Sequence, residues 1–140
     1  MKKLIGFSVL ALFAVAIIAG CGGGGGDKYS DVKDLLNKMI AVQDTFTSSV
    51  EKSKSSKDVV AAIDVFAKDM MALAPKIKDM DKKYPELSDK NPPKELAGEV
   101  KKLQAVSEKM EEAMGKVAQK YPGDKDIAEA FMKFAGAAMK

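Results

Sequence analysis

The spacing of the apolar residues is the feature that most narrows what this chain can fold into. From Ser30 onward, apolar side chains recur at alternating intervals of three and four residues. This is the period of one face of an α-helix, and no stretch shows the two-residue alternation that marks a half-buried β-strand. The sequence therefore predicts an all-α domain over residues 30–140.

Four such apolar stripes predict four helices. Their approximate ranges are residues 30–52, 56–84, 93–121 and 124–139. The longest stripe consists of Val59, Ile63, Phe66, Met70, Leu73, Ile77, Met80 and Tyr84. Pro75 lies inside this stripe, but the apolar residues stay in phase on both sides of it, so we expect a bend rather than a break. Because the loops are short, an antiparallel up-down four-helix bundle is the expected architecture.

Polar residues and prolines mark the expected helix ends. Ser30 is a candidate N-cap for the first helix, because its hydroxyl can accept a hydrogen bond from a free backbone N–H. Ser55, followed three residues later by Asp58, predicts a capping box at the start of the second helix. Pro92 and Pro93 predict the start of the third helix, where the missing N–H of proline costs nothing.

The same tripeptide, Lys-Tyr-Pro, closes the second and third predicted helices, at residues 83–85 and 120–122. The stripes of these two helices are also offset from one another by a constant 37 positions. Two interpretations stay open. The repeat is either the trace of an internal duplication or the result of proline being a good helix stop.

The N-terminal segment has the features of an export signal. An apolar run from Leu4 to Ala19 follows two lysines and ends in the tetrapeptide Ile18-Ala19-Gly20-Cys21, which contains the only cysteine. This segment resembles the signal peptide and lipobox of bacterial lipoproteins. The resemblance implies that residues 1–20 are removed by cleavage between Gly20 and Cys21, and that the Cys21 thiol carries a diacylglyceryl group. A transmembrane anchor is the alternative, but about 16 apolar residues are short for a bilayer span.

Residues 21–29 are expected to form the lipidated cysteine and a tether, since five consecutive glycines follow Cys21. The resemblance implies a location in the cell envelope, attached to the membrane through the N-terminal lipid. An aspartate directly after the cysteine would resemble the inner-membrane retention signal of enteric bacteria. In this chain that position is Gly22. The periplasmic face of the outer membrane is therefore implied if the source is Gram-negative.

The composition argues against most enzyme classes. The chain contains no histidine, and all 23 of its basic residues are lysine. Serine hydrolase triads and histidine-ligated zinc sites both need an imidazole, and bidentate phosphate binding needs arginine. With a net charge of only +3, nucleic acid is not an expected partner. We therefore expect no catalytic residues, no cofactor and no metal site, and a structural or protein-interaction role with an unidentified protein partner.

The alternative function is a small-molecule or metal carrier. Thioethers are soft ligands for Cu(I), and Met110 and Met114 lie one turn apart on the third stripe, with Met70 and Met80 on the second. Methionine at stripe positions also fills irregular core space. Both interpretations are compatible with the spacing.

A second resemblance concerns the layout of the helices. Four helices with a proline-bearing loop between the second and third resemble the cytochrome b562-like bundles, and Met39 lies on the first helix, where this resemblance implies a haem-ligating methionine. The histidine that would be the second ligand is absent. The resemblance therefore implies the layout but not haem binding.

Two polar residues interrupt the stripes, Gln43 on the first helix and Ser107 on the third. Each lies about 20 Å from the start of its helix at 1.5 Å per residue. We expect the two side chains to face each other and to fix the register of the helices, as buried polar residues do in coiled coils. A polar contact for a ligand in the core is the alternative interpretation of this pair.

Overall fold

The computed structural model describes residues 28–87 and 93–138. Within these residues the chain forms four α-helices, two short 3-10 helices and no strand. The α-helices are α1 (Ser30–Lys52), α2 (Ser56–Lys83), α3 (Ala97–Lys120) and α4 (Lys125–Ala138), and the 3-10 helices are Pro85–Leu87 and Lys94–Leu96. The all-α prediction is confirmed. The predicted signal peptide, with Gly20 and Cys21, lies outside the described residues.

The start of α2 has the predicted cap, whereas the start of α1 does not. Ser55 Oγ accepts a hydrogen bond from the Asp58 backbone N–H at 3.3 Å, and the Asp58 carboxylate accepts one from the Ser55 N–H at 2.9 Å. This is the expected capping box. The prediction of Ser30 as the N-cap of α1 is wrong, because Tyr29 occupies that position and gives no side-chain cap. Tyr29 is only 2% exposed, so packing of its ring fixes the start of the helix.

The third helix begins later than the sequence predicts, and Pro92 lies outside the described residues. Pro93 has an extended backbone, with φ −51° and ψ 139°, so it precedes the helical turns instead of opening them. A 3-10 turn follows, closed by a 2.9 Å hydrogen bond from the Leu96 N–H to the Pro93 carbonyl, and α3 begins at Ala97. Tighter turns of this kind are common at helix N-termini. In α2, by contrast, the helix continues through Pro75 without interruption.

Close packing joins α1 with α2, α1 with α3, and α2 with α4. The start of α1 lies beside the end of α2, because Lys83 forms an ion pair with Asp31. The end of α1 lies beside the end of α3, where the Lys120 ammonium donates to the Ser53 carbonyl at 3.3 Å. Helices α1 and α2 therefore each pack against two other helices.

Buried apolar residues from all four helices form one hydrophobic core. Three phenylalanine rings connect α1, α2 and α4 within it. The ring centroids of Phe46 and Phe66 are 4.7 Å apart, and those of Phe66 and Phe134 are 5.5 Å apart. These separations are typical of favourable aromatic pairs. Phe66 is the central ring and lies 4% exposed.

Among the described helices, none combines the length and the apolar character that crossing a bilayer requires.

Candidate functional site

The structure brings Gln43 and Ser107 together. The Ser107 hydroxyl donates a hydrogen bond to Gln43 Oε1 at 3.0 Å, which links α1 to α3. Gln43 is buried, with 4% of its surface exposed, and Ser107 is half-buried. A buried amide oxygen without a donor is costly, so this contact favours one register of α1 against α3. A one-turn slip of either helix would break it.

A second polar cluster lies where the chain enters α1. We call it the lysine-tyrosine clasp, and it consists of Lys28, Tyr29, Asp31, Lys83, Tyr84 and Glu86. The Tyr29 hydroxyl donates to Glu86 Oε1 at 3.1 Å, and the Lys28 ammonium pairs with the same oxygen at 2.7 Å. One Lys-Tyr pair at the start of α1 thus binds the acidic residue that follows α2.

The other half of the clasp repeats this arrangement in reverse. Lys83 pairs with Asp31 Oδ2, and the Tyr84 hydroxyl lies 2.9 Å from Asp31 Oδ1 and 2.7 Å from the Lys28 carbonyl oxygen. The two tyrosine rings pack against each other with centroids 5.3 Å apart. Each Lys-Tyr pair therefore binds the acid that lies beside the other pair. The clasp joins positions more than fifty residues apart in the sequence.

The electrostatics of the clasp follow from these contacts. The hydrogen bond from Lys83 lowers the pKa of Asp31, and that from Lys28 lowers the pKa of Glu86. The same contacts raise the pKa of the two lysines. All four groups are therefore held in their charged forms at neutral pH. The clasp also fixes the backbone at Lys28, through the hydrogen bond from the Tyr84 hydroxyl to the Lys28 carbonyl.

The third Lys-Tyr pair, at the end of α3, is different. Lys120 lies 5.2 Å from the centre of the Tyr121 ring, much as the lysines of the clasp lie over their neighbouring tyrosines. The Tyr121 hydroxyl, however, is buried and has no hydrogen-bond partner among the described residues. Asp124 does not bind it and instead accepts hydrogen bonds from the backbone at the start of α4. The repeated tripeptide therefore gives two different sites.

A groove of about 280 Å³ runs along the outer seam of α1 and α2. We call it the α1–α2 groove, and it is lined by residues between Val42 and Ser49 and between Asp58 and Asp69. Phe46 and Phe66 contribute buried surface to its floor, and Val65 stands on its wall with 54% of its surface exposed. An exposed valine beside buried rings forms an apolar surface open to solvent.

The methionines of the predicted copper site are mostly core residues. Met39, Met70, Met110 and Met114 are all buried within the common hydrophobic core, and Met80 is packed against it. Among residues 28–87 and 93–138, no group of three or more acidic or cysteine side chains is placed to hold a metal ion. The binding of Cu(I) by thioethers stays a prediction.

The clasp and the groove were both missed by sequence reasoning. Lys28 and Tyr29 fall in the segment assigned to the tether, although Tyr29 belongs to the core. The signal for the groove is the presence of Val42 and Val65 off the main stripes, where a solvated helix face is usually polar.

Comparison with protein-family models, with characterised proteins and with solved structures finds no match to this chain.

Proposed function

We propose that this chain is a lipid-anchored, non-enzymatic protein of the cell envelope that binds a protein partner through the α1–α2 groove. The observation that carries the proposal is the open apolar surface of that groove, where Val65 is exposed beside the buried rings of Phe46 and Phe66. The groove volume of about 280 Å³ is at the lower limit for a small-molecule pocket but accommodates side chains of a partner.

An antiparallel up-down bundle is the proposed arrangement of the helices. Two contacts support it. The pairing of Asp31 with Lys83 brings the start of α1 to the end of α2 and supports opposite directions for these two helices. The hydrogen bond from Lys120 to Ser53 brings the ends of α1 and α3 together and supports the same direction for this directly packed pair, as an up-down-up order requires. In a bundle of this order, the groove and the clasp lie toward opposite ends of α1.

The proposed anchor and the groove are separated along α1. The clasp fixes the chain at Lys28, next to the segment that would lead to a lipidated Cys21. The groove begins at Val42, twelve residues after Ser30, which corresponds to about 18 Å at 1.5 Å per residue. A domain tethered at Lys28 would thus present the groove away from the membrane surface. This geometry suits binding to a partner in the periplasm or in another layer of the envelope.

The anchor is tested by Cys21→Ser. If Cys21 carries the lipid, the wild-type chain fractionates with membranes and incorporates labelled palmitate, whereas the variant incorporates none and accumulates as an uncleaved or soluble precursor. Two or three acyl chains, at about 0.8 kcal/mol per buried CH₂, make attachment effectively permanent. Equal labelling of the variant and the wild type would refute the anchor.

The interaction role is distinguished from the carrier role by mass. The protein is purified from its own host envelope, and its mass under native conditions is compared with its mass after denaturation. The proposal expects either no difference or an added mass of protein size. A reproducible added mass of a metal ion or a small molecule would contradict it and favour the carrier with a methionine-rich core.

A further inference from the structure

The chemistry of the rim of the α1–α2 groove restricts what the groove can bind. Thr45 and Ser49 stand on the α1 side, and each hydroxyl donates its proton to its own helix. Thr45 Oγ1 bonds the Ala41 carbonyl and Ser49 Oγ bonds the Thr45 carbonyl, both at 2.8 Å. Since a hydroxyl has a single proton, these two groups can offer only acceptor lone pairs to a ligand.

The α2 side of the rim carries two carboxylates, and the charge of Lys54 acts on one of them, Asp58. Asp58 and Asp69 both line the groove. The Asp58 carboxylate accepts hydrogen bonds from the backbone N–H groups of Lys54 and Ser55, and these contacts lower its pKa, so it stays ionised. Asp69 is half-buried, and no described lysine forms an ion pair with it. None of the lining residues is a lysine, although lysine supplies all 23 basic residues of the chain.

The groove therefore combines an apolar floor with a rim that only accepts hydrogen bonds and carries negative charge. We propose that it binds a basic amphipathic helix of the partner protein, with an apolar side chain against Ala61 and Val65, the exposed apolar residues of the lining, and a lysine or arginine beside Asp69. The lining stretch of α2 from Asp58 to Asp69 is about 16 Å long at 1.5 Å per residue, or three turns of such a helix. Helices commonly bind in grooves in this manner.

The inference rests on the proposed function, since it names the chemistry of the partner at the same surface. A direct test uses the full chain in a neutral detergent and two labelled model helices of about 15–20 residues, long enough to be helical. One is built of leucine and lysine, and the other of leucine and glutamate. Binding is followed by fluorescence anisotropy, with detergent alone as the blank. Only the lysine helix should bind, and its affinity should fall as salt shortens the Debye length.

Charge reversal on the rim provides the matched comparison. Asp69→Lys removes one attraction and adds one repulsion, each of the size of an exposed ion pair, so affinity for the lysine helix should fall roughly two- to thirtyfold. Asp79→Lys makes the same charge change at an exposed position of α2 outside the groove and should have little effect. Equal losses in the two variants, with Asp69→Lys still folded by circular dichroism, would overturn the proposal.

Apolar contact is tested in the same way. Val65→Ser should weaken binding of the lysine helix, while Met71→Ser, at an exposed position outside the groove on the same helix, should not. Equal binding of the two model helices, or no binding of either, would reject a basic helix as the occupant. A native dimer that Val65→Ser dissociates would assign the groove to a second copy and also overturn the inference. A small-molecule mass on the purified protein would instead contradict the proposed function itself.

Discussion

The two buried tyrosine hydroxyls at the ends of α2 and α3 make opposite predictions for the same substitution. Tyr84→Phe removes one hydroxyl that lies 2.9 Å from Asp31 Oδ1 and 2.7 Å from the Lys28 carbonyl. Tyr121→Phe removes a buried hydroxyl that has no partner among the described residues. Both changes keep the ring and leave no cavity larger than one oxygen atom.

The loss of stability expected for Tyr84→Phe follows from the number of protons that the hydroxyl can donate. The hydroxyl has one proton, so it makes one hydrogen bond at a time even though two acceptors are in range. Losing one such bond to a carbonyl or to a carboxylate that remains paired with Lys83 should cost about 1–2 kcal/mol. For a domain of this size, that corresponds to a fall in melting temperature of about 4–8 °C.

The expected effect of Tyr121→Phe on the free energy of unfolding has the opposite sign. Burying a hydroxyl without a partner costs free energy, and replacing it by hydrogen removes that cost. We expect this variant to be as stable as the wild type or more stable, by at most about 1 kcal/mol. Thermal and urea unfolding of the two full-length variants, followed by circular dichroism, measures the difference. Equal destabilisation of both variants would show that the two Lys-Tyr pairs are equivalent and would refute the clasp.

Three further substitutions or conditions test the core and the polar contacts. Ser107→Ala should destabilise the protein by about 1 kcal/mol by leaving Gln43 Oε1 without its donor, and the double variant Gln43→Leu/Ser107→Ala should recover much of the loss in a double-mutant cycle. Phe66→Ala should lower the free energy of unfolding by about 3–5 kcal/mol, because it leaves a cavity at the centre of the aromatic core. Met71→Ala on the exposed face should change the free energy of unfolding by less than about 0.5 kcal/mol. Similar effects of the two substitutions would contradict the described packing. Pairing with Lys83 lowers the pKa of Asp31 in the folded state. The ion pair therefore contributes to the free energy of unfolding at pH values above the unfolded-state pKa of Asp31. In an acid titration this contribution is lost as the pH falls below about 4 and through the folded-state pKa. Asp31→Asn should flatten the stability curve in that range, and an unchanged curve would show that the ion pair contributes nothing.

Much of the fold could be predicted because apolar periodicity is a local property of the sequence. The predicted ends of α1 agree with the structure, and the capping box at Ser55 needs only residues three positions apart. The contact between Gln43 and Ser107 could also be predicted, from the number of residues between each side chain and the start of its helix. It holds although α3 starts at Ala97, four residues later than predicted.

The clasp could not be predicted in this way, because it depends on which helix ends meet in space. Tyr29 and Glu86 are 57 residues apart. Tyr29 extends the first stripe by one position, three residues before Val32, but Glu86 lies on no stripe. The sequence around Tyr29 follows a run of glycines, so its local composition favours a tether over a buried ring. The failure of Ser30 as an N-cap has the same cause, since packing of Tyr29 overrides the local preference of serine for that position.

The groove escaped prediction for a different reason. Its floor consists of residues correctly assigned to the core, and only the exposed Val65 distinguishes the surface above them. A single exposed valine is unremarkable in a sequence. It becomes informative only when the fold places it beside Phe46 and Phe66 and next to an acidic rim without lysine.

The claim that the α1–α2 groove is the partner-binding surface is tested most directly by site-specific photo-crosslinking in intact cells of the natural host. A photoreactive residue is placed at Val65 in one strain and at Met71, on the same helix but outside the groove, in another. We expect a discrete adduct with a second protein from position 65 and none from position 71, with the crosslinked peptide carrying apolar residues interspersed with lysine or arginine. The absence of an adduct from position 65, or the same adducts from both positions, would contradict the claim.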